Sequence, residues 1–268
     1  MVTVESNVHH ILKKVIELSP CQSGEHCADG FVGDVEFVKE LLSNPEDARE
    51  VDVTTTKYPI KPYYRPLSQS IYKLYFDAGL FTSKDSKLGL NTKNHRFKDS
   101  TLINLQRLTD TEKTTGVLDL ALLKSIFYSL RKWDVLVLLG FGRTEGSLDV
   151  LPPDISQLWQ SFEAQHHPKS KLTVGARALT KHCNRSSELF WGVCTGTEAN
   201  KNRHSLEILR KVLCECCWIN VHTLPHQVFV LEIRNEAGYG MRWSRDGKSF
   251  RGFLEPQMEN GHEVGWKH

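Results

Sequence analysis

The side chains best suited to chemistry lie near the C-terminal end of the chain, in four short segments that alternate polar and apolar residues. Alternation places the polar residues of a strand on one face and the apolar residues on the other. The predicted polar face carries Trp218, Asn220, His222, Glu232, Arg234, Arg242, Arg251 and Phe253. Guanidinium groups are planar forks of N–H donors that suit phosphate and carboxylate. The pattern therefore predicts a site for an anionic ligand.

Each side chain of this face has an expected role. Arg234, Arg242 and Arg251 would bind the anion, Asn220 would contact the ligand and Trp218 would stack on it. His222 and Glu232 are the predicted catalytic pair, because a metal-free phosphodiesterase needs about two acid–base groups and a cation at the developing charge. The same residues also fit a solvated outer face with cross-strand ion pairs such as Glu232–Arg242. Residue types alone do not separate a catalytic site from a binding site or from such a face.

Upstream of these segments the charge is locally basic. The whole chain has a net charge of +2, but residues 169–204 hold seven basic and two acidic residues. Arg177 and Lys181 are four residues apart in a predicted helix, and Arg203 and His204 stand at the expected start of another. A helix N-terminus favours anions, so these four residues are further candidates for ligand binding. The alternative is a charged helix face in contact with water.

Two motifs resemble ligand sites but lack the context such sites need. Cys214, Cys217, His222 and His226 have the spacing of a zinc knuckle, yet no glycine supplies its tight turn. The glycines between Gly140 and Gly146 resemble a dinucleotide-binding loop, but two prolines follow where a helix should begin. We therefore predict no metal and no cofactor, and the spacing leaves a structural zinc ion open.

Hydrophobic periodicity places these candidates in an α+β fold. Helices are predicted over residues 8–16, 35–42, 66–75, 117–132, 154–164, 173–184 and 203–217, and residues 134–140 fit either a strand or a helix. Strands are predicted over 218–223, 228–235, 239–244 and 249–254, with a hairpin at Asp246-Gly247. The expected architecture is an N-terminal mainly helical region (1–165) packed with a C-terminal antiparallel β-meander flanked by helices (166–268), together one composite domain.

The predicted core of the meander is its apolar face. It comprises Ile219, Val221, Phe229, Leu231, Ile233, Met241, Trp243, Phe250, Gly252 and Leu254. Four strands joined by short connections leave one face to be covered by helices. The polar face is then the one accessible to a ligand.

Composition restricts the function further. No stretch approaches the roughly 18 consecutive apolar residues of a membrane-spanning helix, so no membrane association is predicted. Seven cysteines, three of them within residues 214–217, favour free thiols and a reducing compartment, the cytosol or the nucleus. The leading hypothesis is a protein that binds a phosphate-bearing ligand (RNA, single-stranded DNA or a nucleotide), with phosphodiester chemistry as an extension. The alternative is a non-catalytic protein-interaction module that uses its helical half.

Overall fold

The structure is a computed structural model that describes residues 4–17, 30–45, 56–78, 97–117, 119–183 and 189–256. The described residues form two compact units. The helical unit is drawn from Met1–Pro45, Pro59–Phe141 and Asp149–Leu151, and the sheet unit from Glu46–Tyr58, Gly142–Leu148 and Pro152–His268. The predicted boundary between residues 165 and 166 stays a prediction.

The helical unit consists of α1 (Val4–Glu17), α2 (Val35–Leu42), α3 (Tyr64–Ala78), α4 (Asp99–Thr115), α5 (Leu120–Ser129) and α6 (Lys132–Leu138). Aspartates begin two of these helices: Asp34 accepts from Phe37 N, and Asp119 accepts from Ala121 N and Leu122 N. Such caps satisfy backbone donors that a helix start leaves unpaired. The apolar stripes face inward, with Leu12 and Leu41 fully buried.

The ambiguous segment 134–140 proves to be mostly helical. Residues Lys132–Leu138 form α6, whose side chains from Trp133 to Leu138 are all buried. Because the helix is buried on every side, its sequence has no amphipathic period, and periodicity could not separate it from a strand. The helix α4 was not predicted, since its sequence is polar around most of its circumference.

The sheet unit contains α7 (Ile155–Glu163), α8 (Val174–His182), α9 (Glu198–Glu215), β1 (Cys216–Leu224), β2 (Val228–Asn235), β3 (Gly240–Ser244) and β4 (Phe250–Leu254). The four strands form one antiparallel sheet in the order β1-β2-β3-β4. All four strands were predicted to within two residues at each end. The architecture is α+β, as the sequence predicts.

The apolar face of the sheet packs against α8, α9 and α7. Most of the predicted core is confirmed, and Ile233, Met241 and Trp243 have no exposed surface. Phe229, by contrast, is 42% exposed at the start of β2, beyond the part of the face that the core buries.

One register shift changes the predicted faces of β4. Trp243 pairs with Phe250, but Arg242 pairs with Gly252, so β4 holds one extra residue opposite β3. Such a β-bulge reverses the alternation beyond it. Phe253 is therefore buried opposite Met241 and not on the polar face, whereas Gly252 and Leu254 leave the predicted core.

No helix among the described residues is long and apolar enough to cross a membrane.

Candidate functional site

A buried carboxylate stands at the centre of the polar face of the sheet. Glu232 lies in the middle of β2, opposite Asn220 of β1 and Arg242 of β3. His222 and Arg234 are each two residues along their strands from this row, so their side chains share its face. We call His222, Glu232, Arg234 and Arg242 the Glu232 cluster.

The cluster is held together by contacts to both carboxylate oxygens. Arg242 donates to Glu232 Oε1 through Nε at 2.7 Å and also through Nη2. His222 Nε2 lies 3.3 Å from the same oxygen, and Arg234 Nε lies 3.4 Å from Oε2. Three strands therefore deliver side chains to one carboxyl group.

Burial distinguishes this face from a solvated sheet surface. The side chains of Glu232, His222 and Arg234 are 5%, 12% and 15% exposed, and that of Arg242 is 29% exposed. Burial alone would raise the pKa of Glu232, but the contacts with His222, Arg242 and Arg234 outweigh it and lower that pKa to about 2. Glu232 is thus ionised near neutral pH.

The cluster carries an excess of positive charge. One carboxylate faces two guanidiniums, so its formal charge is +1 even with His222 neutral. His222 Nε2 is buried and, although it lies close to Glu232, has no hydrogen bond of acceptable geometry within the described part of the chain. Buried polar atoms are normally satisfied, and buried charge is normally compensated. Both features fit a site whose anionic partner is a ligand.

Arg234 is largely committed to the protein itself. Its Nη1 donates to the carbonyl oxygens of Gly238, at 2.6 Å, and of Glu255, at 2.9 Å. Desolvation lowers the pKa of Arg234, an effect that Glu232 opposes. Two backbone contacts and one carboxylate contact hold this guanidinium in place on the polar face, next to Glu232.

Two other candidate ligand-binding residues of the strands, Arg251 and Trp218, lie outside the Glu232 cluster. Arg251 is exposed and is the extra residue of the β4 bulge, so the position opposite Arg242 belongs to Gly252. The expectation that alternation aligns Arg251 with Arg234 and Arg242 is therefore wrong. Trp218 pairs with Arg234 and is partly exposed, on the same face as the cluster. Its stacking role and the ligand contact of Arg251 stay predictions.

Asn220 is fully buried and its amide is occupied by the protein. Its Oδ1 accepts from Ser147 Oγ at 2.9 Å, and its Nδ2 donates to Thr144 Oγ1 at 2.8 Å. These hydroxyls belong to residues 142–148, a segment that pairs with the outer edge of β1. The sequence did not reveal these partners, because the pairing of this segment with β1 is a tertiary property that no local pattern shows.

The basic residues of the helices lie elsewhere in the sheet unit. Arg177 and Lys181 are exposed on α8, and Arg203 is exposed on α9, where it donates to Asn200 Oδ1 at 3.0 Å. The helix α9 begins at Glu198 and is capped by Thr197, so Arg203 and His204 are not at its N-terminus as predicted. The sequence signal for this earlier start is Thr197 itself, a favoured capping residue followed by an acidic one.

His204 and a second carboxylate belong to the helix-covered side. His204 Nε2 contacts the carbonyl oxygen of Trp191 at 2.8 Å. Trp191 Nε1 in turn donates to Glu255 Oε1 at 2.8 Å, and His182 Nε2 lies 2.7 Å from that oxygen. Trp191 is fully buried and packs against Phe253. This group ties α8 and the residues before α9 to the end of β4, and it accounts for His204 as a structural residue.

The candidate zinc ligands do not come together. Among the described residues, no three histidine, cysteine or acidic side chains form a group able to hold a metal ion. Cys216 is buried, which raises the pKa of its thiol to about 12. The five cysteines in the described ranges, which include Cys214 and Cys217, are free thiols.

Comparisons with known proteins concern the sheet unit. Residues 162–255 match the family described as the CdiA C-terminal tRNase toxin domain. A solved structure of the toxic C-terminal tip of CdiA from Pseudomonas aeruginosa, in complex with an immune protein, is 26% identical, covers 36% of this chain and 99% of its own chain, and has a TM-score of 0.32. No curated protein matches the chain. The matched residues contain all four strands and the whole Glu232 cluster, so the part of the chain that carries the candidate site is similar to a nucleic-acid-acting toxin domain.

Proposed function

We propose that the sheet unit is a metal-independent ribonuclease that cleaves tRNA at the Glu232 cluster. The main support for this function is the excess positive charge around one buried, ionised carboxylate, with the ring of His222 beside it. The similarity of residues 162–255 to a tRNase toxin domain supports RNA as the phosphate-bearing ligand over single-stranded DNA or a free nucleotide. That substrate favours the cytosolic location over the nuclear one.

The reaction that suits these groups uses the 2′-hydroxyl of RNA as its nucleophile. The 2′ oxygen forms a bond to phosphorus while the bond from phosphorus to the 5′ oxygen breaks, which leaves a 2′,3′-cyclic phosphate and a 5′-hydroxyl. Glu232 accepts the proton of the 2′-hydroxyl, and the leaving 5′ oxygen takes a proton from water. The hydroxide left by that water then removes the proton from Glu232, which restores the carboxylate. His222 Nε2 and Glu232 Oε1 are 3.3 Å apart. In an in-line displacement the two groups would therefore lie on the same side of the phosphorus atom, the side of the attacking 2′ oxygen. His222 accordingly assists the base and orients it.

Substrate binding itself would activate Glu232. In the free protein the contacts with His222, Arg242 and Arg234 lower the pKa of this carboxylate, so it is a weak base, and Arg242 donates to it directly. A phosphate group competes for the same guanidinium fork. As Arg242 turns to the phosphate, the pKa of Glu232 rises towards the range of a general base, and the guanidinium stabilises the charge that develops on the phosphorane.

A cleavage assay on defined substrates tests this function. Wild-type protein is expected to cleave tRNA in the presence of EDTA and to leave single-stranded DNA of matched length intact, because DNA lacks the 2′-hydroxyl. His222→Ala should reduce the cleavage rate by about 10²-fold, because Glu232 is then no longer held in position. Glu163→Gln, an exposed change on α7, is the control and should cleave like wild type. Cleavage of DNA at the rate of tRNA, or full activity of His222→Ala, would overturn the proposal.

A further inference from the structure

The segment 142–148 lies outside the residues that match the tRNase toxin family, yet it extends the sheet that carries the Glu232 cluster. Gly142 N donates to Ile219 O at 2.9 Å, and Leu148 N donates to Val221 O at 2.8 Å. Thr223 N donates back to Gly146 O at 3.0 Å. These bonds run along the outer edge of β1, so the segment occupies the place of a fifth strand.

The pairing brings the segment beside a member of the cluster. Ser147 forms an antiparallel bridge with His222, and directly paired residues carry their side chains on the same face. Ser147 therefore stands next to the imidazole on the side away from Glu232. Residues 143–146 are exposed, so they form a rim at this edge of the site.

Asn220 fastens the rim to the sheet. Its amide accepts from Ser147 and donates to Thr144, and it has no exposed surface. Thr144 N also donates to Ser147 Oγ at 2.8 Å, which closes the turn between the two hydroxyls. The oxygen and the nitrogen of this buried amide both bind hydroxyls of one loop, so the amide holds that loop in position. It is therefore not available to a ligand.

We infer that residues 142–148 form a substrate-selecting wall of the RNA site and that Asn220 is a positioning residue for it. The inference rests on the proposed function. An RNA strand with its phosphate at the Glu232 cluster lies beside this wall at the β1 edge, so the exposed backbone and the Glu145 carboxylate can accept hydrogen bonds from the N–H groups of an adjacent base. Hydrogen-bond acceptors beside the cleavage position make the rate depend on the base that is presented to them.

The wall is tested by removing its two hydroxyls in the double variant Thr144→Val/Ser147→Ala. We expect KM for tRNA to rise about tenfold, the size of effect that the loss of such hydrogen bonds produces, with kcat changed by less than about threefold. The ratio of cleavage between preferred and other nucleotides should fall by about fivefold in a set of short RNAs that differ at one base. Ser147→Thr, which keeps a hydroxyl, should retain the wild-type preference.

The control pair is Thr114→Val/Ser170→Ala, which removes one threonine and one serine hydroxyl that do not belong to residues 142–148. It should leave KM and base preference unchanged. If wild type cleaves RNA but the Thr144→Val/Ser147→Ala variant, folded by circular dichroism, keeps both its KM and its preference, the wall inference is wrong while the proposed function stands. If wild type cleaves no RNA at all, the proposed function fails and the wall fails with it.

Discussion

Each unit of this protein contains a buried carboxylate bound by arginine, and the surroundings of the two carboxylates differ. In the helical unit, Asp134 is fully buried and accepts from Arg131 Nε at 2.9 Å, Arg131 Nη2 at 2.8 Å and Arg131 N at 2.7 Å. In the sheet unit, Glu232 is contacted by side chains from β1, β2 and β3. The contacts described for Asp134 come from a residue three positions away in the sequence, whereas Glu232 is contacted by residues of three strands and lies in a cluster with an excess of positive charge.

The difference shows which features distinguish a structural ion pair from a ligand-binding or catalytic site. Arg131 and Asp134 are three residues apart, and the contacts between them cap the start of α6. The Glu232 cluster has more cationic groups than one carboxylate requires, and a nitrogen of His222 has no hydrogen bond in the described ranges. An excess of buried positive charge and a buried nitrogen without a hydrogen bond both lower the stability of the folded protein unless a ligand binds to them.

The largest expected effect on stability is at the structural pair. Asp134→Ala removes a helix cap and an ion pair from a fully buried position, and should lower the free energy of unfolding by about 3 kcal/mol. Urea unfolding followed by circular dichroism measures it. Asp110→Ala, an exposed change on α4, should shift the same quantity by less than about 0.5 kcal/mol. Equal effects of the two substitutions would contradict the structural role of Asp134.

At the Glu232 cluster the geometry of arginine should matter more than its charge. Arg242→Lys keeps the positive charge but loses the planar fork, and should lower kcat/KM for RNA by about 10²-fold. Arg245→Lys, at an exposed position in the connection between β3 and β4, is the matched control and should change kcat/KM by less than about threefold. If both variants behave alike, Arg242 has no special role at the phosphate.

A smaller effect is expected in the pH dependence of stability. The pKa of Glu232 is lowered from 4.5 to about 2, so the contribution of its carboxylate is complete above pH 4.5 and is lost as the pH falls towards 2. Glu232→Gln lacks this contribution. The difference in unfolding free energy between wild type and Glu232→Gln should thus be on the order of 1 to 3 kcal/mol at pH 6 and shrink at acid pH. A difference that stays constant from pH 6 to pH 3 would show that the charge is not stabilised in the folded protein.

Much of the sheet could be predicted from sequence because each strand carries its own alternation. Glu232 and Arg242 were expected to face each other, and they do. The bulge at Arg251 could not be predicted, since the extra residue becomes visible only when β4 is paired with β3. Nor could the partners of Asn220, which come from a segment more than seventy residues earlier in the chain. The local sequence pattern predicts the strands and the face on which each side chain lies. The register between strands and the long-range hydrogen bonds determine which side chains come into contact.

The ends of the RNA products show whether Glu232 acts as the base that activates the 2′-hydroxyl. Wild type and Glu232→Gln are incubated with tRNA in EDTA, and the new termini are identified by mass spectrometry. We expect 2′,3′-cyclic phosphates and 5′-hydroxyls from wild type, and a rate at least about 10²-fold lower from Glu232→Gln. Products with 3′-hydroxyl and 5′-phosphate ends, or undiminished cleavage by Glu232→Gln, would contradict this role of Glu232.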